Sequence, residues 1–240
     1  MMYLYYVLAG VISYFVGNLT FARFIAKANH GDITKSGSGN PGTLNTWRRF
    51  GFWAGILTFI LDMVKGLLVS LGAYFLFNHF GMNGEVALYV AGFSAILGHN
   101  FPIIFKFKGG KGIATSVGVF FAANWLVALI AFIVMILGMI FVKYASIFTI
   151  GFAVFMSIWE ICVCSPANWV NYILIALIAF LVLFCHRGNI KRLIQGKENK
   201  TELWKMVCQL GKKKTKSAAT EPTATVEALS VPNSSTENRK

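Results

Sequence analysis

The chain alternates between long apolar runs and short polar segments rich in glycine, lysine and arginine. About 20 apolar residues in a helix are enough to cross the hydrocarbon core of a bilayer. The apolar runs are Met1–Phe21, Phe52–Phe77, Val86–Leu97, Ile113–Val142, Ala145–Val163 and Trp169–Cys185. This pattern predicts an all-α polytopic membrane protein.

The run Ile113–Val142 is too long for a single span, because as one helix it would measure about 45 Å. The segment Ala122–Trp125 (AANW) is the predicted break, after a short helix and before a full one. Dividing the run in this way gives seven transmembrane helices.

The positions of lysine and arginine predict the orientation of these helices. With the N-terminus outside and the C-terminus cytoplasmic, every Lys and Arg except Lys65 lies on the cytoplasmic side or in the tail. A single tilted span over Ile113–Val142 would reverse the membrane side predicted for every later segment, including that of Lys143. The inner placement of the basic segments argues against that alternative.

Composition narrows the class further. Hydrophobic residues make up 56% of the chain and charged residues 13%, with a formal net charge of +13. A soluble domain has about 25% charged residues. No zinc spacing or RNA-binding pattern suggests nucleic acid as a partner, and the four cysteines are interpreted as small apolar residues, not metal ligands.

The C-terminal part differs from the rest in composition. Residues 1–211 are assigned to one membrane domain, and residues 212–240, which begin KKKTK, to a disordered polar tail in the cytoplasm. Asn189–Leu210 has the pattern of a surface helix, with Leu203, Trp204 and Val207 on its apolar side. The tail lysines are interpreted as solvated, with contact to anionic lipid as the alternative.

The central polar segment, Gly98–Thr115, reads GHNFPIIFKFKGGKGIAT and contains no acid. Glycine N–H groups and a helix N-terminus can together bind an anion. The predicted phosphate-binding residues here are Lys108, Gly109, Gly110, Lys111 and Gly112. An ordinary positive-inside loop is the alternative, but such a loop does not need the glycines.

Two further polar segments carry candidate chemistry. Ser36–Arg49 is a Gly/Ser/Pro turn suited to an anion, with Arg48 able to form a bidentate contact to phosphate. Its candidate residues are Gly37, Ser38, Gly39, Asn40, Gly42, Asn45 and Arg48. The third segment begins at His186, where Asn189 shares a helix face with it and Glu198 follows. An ordinary loop and an interfacial histidine are the alternatives.

Asp62 and Lys65 lie inside an apolar run, three residues apart on one helix. That spacing allows an ion pair, which lowers the cost of burying both charges. A structural pair or an anchor to the site is the preferred interpretation, and ion transport is the alternative.

These segments, in this order and between these spans, resemble the bacterial acyl-phosphate:glycerol-3-phosphate acyltransferase family over roughly residues 1–200. The resemblance implies transfer of an acyl group from acyl phosphate to the sn-1 hydroxyl of glycerol 3-phosphate. The products are lysophosphatidic acid and phosphate, in the first step of phospholipid synthesis. The resemblance also implies a multi-pass protein of the bacterial cell membrane, active as a monomer without metal or cofactor. Its active site is expected to face the cytoplasm.

The resemblance also assigns residues. The catalytic set it implies is Ser38, Arg48, Lys111, His186 and Asn189. Its glycine-rich motif falls on Gly109, Gly110 and Gly112, and its structural glutamate on Glu198. The chain departs from the family at Leu44, where the family has threonine.

Several points stay open at this level. The glycerol hydroxyl is expected to attack the acyl carbon directly, with its proton passing to His186 or to the leaving phosphate. A covalent acyl-Ser38 is less favoured, since no base is placed beside Ser38. An organic-phosphate transporter and a non-catalytic lipid-binding scaffold are the rival functional classes.

Overall fold

The computed structural model describes residues 2–165 and 168–201, and all the regular structure of these residues is helical. The helices are α1 (Met2–Gly17), α2 (Phe21–Ala28), α3 (Thr43–Phe50), α4 (Phe52–His79), α5 (Gly84–Asn100), α6 (Ile113–Ala123), α7 (Trp125–Val142), α8 (Ala145–Val163), α9 (Trp169–Cys185) and α10 (Arg187–Ile194). Short 3-10 turns occur at Ile33–Lys35 and Ile103–Phe105. Proposed features of Pro166, Ala167 and residues 202–240, including Cys208, lie outside the described residues.

Five segments of the described chain are long and apolar enough to cross a membrane, or six if α9 and α10, which are bent by 58°, form one span. The five are Met2–Ala28, Phe52–His79, Gly84–Phe105, Trp125–Val142 and Ala145–Val163. Helix α6 has 11 residues, about 16 Å, or half of a bilayer core. The count of seven includes α6 and α9 as separate segments, and it stays a prediction.

The predicted break within Ala122–Trp125 is confirmed. Asn124 separates α6 from α7, and its side-chain oxygen accepts a hydrogen bond from the Val127 N–H at 3.4 Å. An asparagine in this position caps the start of α7, because the first N–H groups of a helix lack partners within it.

The single span predicted over Met1–Phe21 is confirmed and extends further, because the structure has one candidate membrane span over Met2–Ala28. Within this span the helix is interrupted, since α1 ends at Gly17 and α2 begins at Phe21. The Lys65 ammonium donates to the carbonyls of Gly17 and Leu19, at 3.2 and 2.7 Å. A buried cation therefore satisfies carbonyls that would otherwise continue the helix.

Glycines allow the helices to pack closely. A β-carbon at Gly17 of α1 would overlap the Ala95 carbonyl of α5, and one at Gly66 of α4 would overlap the Thr115 carbonyl of α6. Small residues at such crossings bring backbones into van der Waals contact, which drives helix association in lipid. The pairs α1–α5 and α4–α6 hold the polar segments at the ends of these helices close together.

Candidate active site

One cavity of about 540 Å³ collects residues from all three polar segments. Of the predicted residues it is lined by Ser38, Asn40, Gly42, Asn45, Arg48, Lys111, Gly112, His186, Asn189 and Glu198, and by Asp62 in its wall. The five residues of the predicted catalytic set thus share one cavity, although they are spread over about 150 residues of sequence.

The turn that carries Ser38 is held by Asn45. The Asn45 amide donates to the carbonyls of Ile33 and Ser36, at 3.2 and 2.9 Å, and its oxygen accepts from the Ser38 N–H at 3.2 Å. Because all these bonds go to backbone, Asn45 orients the turn, and we revise its predicted role as an anion ligand. Gly37 has a φ of 56°, which favours glycine.

The glycine-rich segment differs from its predicted role as a phosphate nest. The N–H groups of Gly109 and Gly110 donate to the carbonyls of Asn100 and His99, at 3.2 and 3.0 Å. They satisfy the C-terminal carbonyls of α5, which lack partners within the helix. These two N–H groups are therefore not free for an anion, and only Lys111 and Gly112 of this segment line the cavity.

Gly112 caps the start of α6 with a φ of 80°, and a β-carbon there would lie 2.6 Å from the Asn100 side-chain oxygen. Both facts require glycine. The N-terminus of α6 consequently begins at the cavity, where its positive end favours a bound anion.

Lys108 and Gly109 do not line the main cavity. They line a separate space of about 350 Å³, called here the second pocket. Its lining residues are Arg23, Thr34, Gly39, Pro41, Phe105, Lys106, Lys108 and Gly109. Gly39 is thus also displaced from the predicted site, and Gly37 and Gly110 line neither space.

His186 stands at the junction of α9 and α10 and is buried. Its Nδ1 donates to the Val182 carbonyl at 2.8 Å, since a carbonyl oxygen can only accept. In the neutral ring Nε2 is then the unprotonated, accepting nitrogen. Burial, together with the Lys111 ammonium, lowers the pKa of His186 to about 4, which keeps the ring neutral at pH 7.

Glu198 organises the third segment. Its carboxylate accepts hydrogen bonds from the Asn189 amide at 2.5 Å, the Ser146 hydroxyl at 3.0 Å and Arg192 Nε at 2.8 Å. Burial opposes ionisation, but these donors outweigh it and lower the pKa of Glu198. Ser146 was missed from sequence, although a serine in the first turn of an apolar helix was a signal.

Two cations of the cavity contact only neutral groups among the described residues. Lys111 Nζ donates to Asn189 Oδ1. Arg48, whose side chain is exposed at the cavity mouth, donates to the Thr201 hydroxyl at 3.1 Å. Burial lowers the pKa of Lys111, while Glu198 opposes that effect. A phosphate can displace such neutral partners, because charge-assisted bonds are stronger.

Asp62, Lys65 and His99 form a second charged cluster beside the cavity. Lys65 Nζ lies 2.7 Å from Asp62 Oδ1 and 2.9 Å from His99 Nδ1, in addition to the carbonyls of Gly17 and Leu19. Asp62 Oδ1 and the two carbonyl oxygens are acceptors, which is enough for the three N–H donors of the ammonium. Asp62 and His99 line the cavity wall, whereas Lys65 does not.

The remainder of the cavity is apolar. It extends between α4 and α7 along Phe52, Ile56, Phe59, Phe132, Met135, Ile136, Met139 and Ile140. Phe59 and Phe132 stack with their ring centroids 5.5 Å apart. A molecule with a charged head and a hydrocarbon chain fits a cavity that is cationic in one part and apolar in the other.

The model of the family described as glycerol-3-phosphate acyltransferase matches residues 7–196, which is most of the chain. The chain belongs to the glycerol-3-phosphate acyltransferase family. It is 37% identical over 201 residues to the glycerol-3-phosphate acyltransferase of Finegoldia magna, covering 83% of this chain and 98% of that protein. It is 42% identical over 195 residues to that of Shouchella clausii, covering 79% and 93%.

Two solved structures of PlsY (YgiH), an integral membrane glycerol 3-phosphate acyltransferase, share this fold. The glycerol 3-phosphate form matches with a TM-score of 0.75 and 31% identity, over 84% of this chain and 98% of that one. The lysophosphatidic acid form matches with a TM-score of 0.72 and 32% identity, over 82% and 96%. This member of the family is accordingly an integral membrane protein.

The family resemblance left one position open, Leu44. In the structure both Thr43 and Leu44 line the cavity, and Leu44 also packs against the hydrophobic core. Thr43 therefore places a hydroxyl-bearing side chain on the cavity one residue before the position at which the family has its threonine.

Proposed function

We propose that the protein is a glycerol-3-phosphate acyltransferase that takes its acyl group from acyl phosphate and gives lysophosphatidic acid and inorganic phosphate. The observation that carries this proposal is a single cavity with two cations held by neutral partners at one end and an apolar extension at the other. The names of its relatives, and the ligand forms of the two PlsY structures, support the same reaction.

Positioning supplies most of the catalysis in this proposal. Acyl phosphate is already activated, so the enzyme must bring two anions together and stabilise charge on the carbonyl oxygen. Arg48 and Lys111 neutralise the phosphates, replacing their contacts to Thr201 and Asn189. Ser38 and Asn189 donate to the acyl phosphate, and the N-terminus of α6 adds a favourable dipole.

The glycerol hydroxyl attacks the acyl carbon, and the bond from that carbon to the phosphate oxygen breaks. His186 faces this chemistry as a neutral ring whose Nε2 accepts a hydrogen bond. With a pKa of about 4 it is a weak base, so we assign it to orienting the hydroxyl. The departing phosphate, a stronger base, takes the proton of the hydroxyl and leaves as inorganic phosphate.

The apolar extension holds the acyl chain. Phe59 of α4 and Phe132 of α7, which stack on each other, both line it. A chain lying there keeps its carbonyl beside Lys111 while its end reaches toward lipid. We further propose seven transmembrane segments with the N-terminus outside, which places the cavity at the cytoplasmic face of a bacterial cell membrane, in a monomer.

The donor is tested with purified protein and labelled glycerol 3-phosphate, given palmitoyl phosphate, palmitoyl-CoA or palmitoyl carrier protein in parallel. Labelled lysophosphatidic acid should form only with palmitoyl phosphate, with release of one phosphate per product. Product formation from either thioester alone would refute the proposed donor. No product with any donor would refute the function itself, provided that the protein is shown to be folded.

A further inference from the structure

The second pocket lies against the back of the turn that carries Ser38. It is lined by Gly39 and Pro41 of that turn and by Phe105, Lys106 and Lys108 of the loop after α5. A ligand in this pocket would therefore contact the active-site turn without entering the main cavity. Nothing in the acyl transfer itself uses this space.

Three cations surround the second pocket. The Arg23 guanidinium donates to the Lys108 carbonyl at 2.6 Å and lies 4.5 Å from the Phe105 ring centroid, which fixes its position. Its Nε is buried without a hydrogen-bond partner within the described chain. Over the same residues neither Lys106 nor Lys108 forms an ion pair. The three cations thus favour an anionic ligand.

One acid lies near this pocket and reduces its positive charge. Asp32 accepts a hydrogen bond from the hydroxyl of Thr34, a lining residue, at 2.6 Å. Three cations against one carboxylate leave a net positive charge. An anion with several oxygen acceptors, such as a phosphate ester, matches these donors.

The loop that carries the lysines has an unusual backbone. Lys106 and Phe107 have φ values of 53° and 59°, a left-handed conformation that is uncommon for residues other than glycine. Their N–H groups donate to the carbonyls of Ile103 and Pro102, at 3.1 and 2.9 Å. Strain of this kind is often found at ligand-binding sites, and Lys106 lines the second pocket.

The same loop exposes large apolar side chains. Ile103, Ile104 and Phe107 are 51%, 54% and 56% exposed. A polar rim beside exposed apolar residues, in a chain that spans a membrane, is typical of a segment in the bilayer interface. A pocket beside such a segment is accessible to the headgroup phosphate of a membrane lipid.

We propose that the second pocket binds the headgroup phosphate of an anionic phospholipid, and that the bound lipid steadies the Ser38 turn through Gly39 and Pro41. The lipid contributes no atom to the reaction. Its effect is to raise activity in a membrane that contains anionic lipid. Binding of the lipid is independent of the proposed function, whereas its effect on activity rests on it.

Native mass spectrometry of the purified protein with phosphatidylglycerol or phosphatidylcholine tests the binding. The variant Lys106→Asn removes one charge with a residue that tolerates the left-handed backbone. Lys27→Gln removes one charge from an exposed position on α2 outside the pocket. Lys106→Asn should bind phosphatidylglycerol about fivefold more weakly, the effect expected for one charge near a lipid surface.

Lys27→Gln should retain phosphatidylglycerol as the wild type does, and phosphatidylcholine should bind weakly to all three proteins. Equal retention by Lys106→Asn and wild type would overturn the proposal. So would displacement of the lipid by millimolar inorganic phosphate, because the occupant would then be free phosphate.

Activity in nanodiscs provides the second measurement. The wild type and Lys27→Gln should both gain several-fold in kcat/KM when phosphatidylglycerol replaces half of the phosphatidylcholine, and Lys106→Asn should gain much less. The same gain in Lys106→Asn would overturn the link to the Ser38 turn. A wild type without any acyl transfer would refute the proposed function and leave the binding result standing.

Discussion

Lys65 and Lys111 are both lysines of the membrane domain, yet their surroundings differ in kind. Lys65 is 5% exposed and has four polar neighbours, of which a carboxylate and two carbonyls are acceptors. Lys111 has a neutral amide as its partner in the described structure and opens onto the cavity. A fully coordinated charge stabilises the fold, whereas a charge with an exchangeable partner is available to a ligand.

This difference also bears on the rival classes. The transporter interpretation depended on the Asp62–Lys65 pair, and the structure ties Lys65 to α1 with every donor occupied. The following predictions test the contrast, from the largest expected effect to the smallest.

The largest effect is expected from Lys65→Met, which leaves Asp62 as an uncompensated buried charge. We expect a loss of about 3–5 kcal/mol in the free energy of unfolding, measured by thermal unfolding in detergent. Adding Asp62→Asn should restore part of that stability, because the remaining charge is then removed. A Lys65→Met protein that is stable but inactive would instead place Lys65 in the active site.

Arg48→Ala should show the opposite behaviour. Its side chain is exposed at the cavity mouth, so stability should hardly change. Activity should fall about 100- to 1000-fold, in the range of losing one preorganised donor to the transition state. Arg48→Lys should recover a fraction of it, because an ammonium keeps the charge but not the bidentate geometry. An active Arg48→Ala enzyme would refute the role of Arg48.

Glu198→Gln tests whether the cavity depends on its supporting carboxylate. Glu198 orients Asn189 and Arg192, and hydrogen bonds to charged groups contribute about 1.5–3 kcal/mol. We expect kcat to fall about tenfold or more with little change in the KM for glycerol 3-phosphate. Glu85→Gln is the matched control, since Glu85 is exposed and does not line the cavity. An equal loss in both variants would contradict the assignment.

His186 should give the smallest effect, a dependence of stability on pH. Its pKa is about 4 in the folded protein against about 6.5 in the unfolded chain. The unfolded state binds more protons between these values, so stability should fall by about 1 kcal/mol per pH unit as pH drops from 6.5 towards 4.

Unfolding curves between pH 7 and 5 measure this slope, and His186→Asn should reduce it. His30→Asn, at an exposed position, is the control. An unchanged slope in His186→Asn would show that His186 is not the buried neutral ring described above.

Much of the fold is encoded in local pattern. Hydrophobic run length predicts most of the apolar helices, and Asn124 predicts the break between α6 and α7 because asparagine caps helices. The interruption between α1 and α2 could not be predicted in this way, because the carbonyls of Gly17 and Leu19 there accept hydrogen bonds from Lys65, a residue of another helix. Tertiary contacts of this kind are absent from any single segment of sequence.

The candidate site also has features that the sequence predicts and features that only tertiary contacts determine. The family resemblance implied Ser38, Arg48, Lys111, His186 and Asn189 as one catalytic set, and the structure places all five around one cavity. Sequence could not show that the N–H groups of Gly109 and Gly110 are used by α5. Nor did it indicate Thr201, whose contact with Arg48 spans 153 residues.

The most direct test of the central claim is a structure of the protein with glycerol 3-phosphate and a non-hydrolysable acyl phosphate analogue. Phosphate oxygens should lie about 3 Å from the Arg48 guanidinium and from Lys111 Nζ. The contacts of these cations to Thr201 and Asn189 should be broken, and the four contacts of Lys65 should be unchanged. Phosphates bound elsewhere, with both neutral contacts intact, would contradict the account.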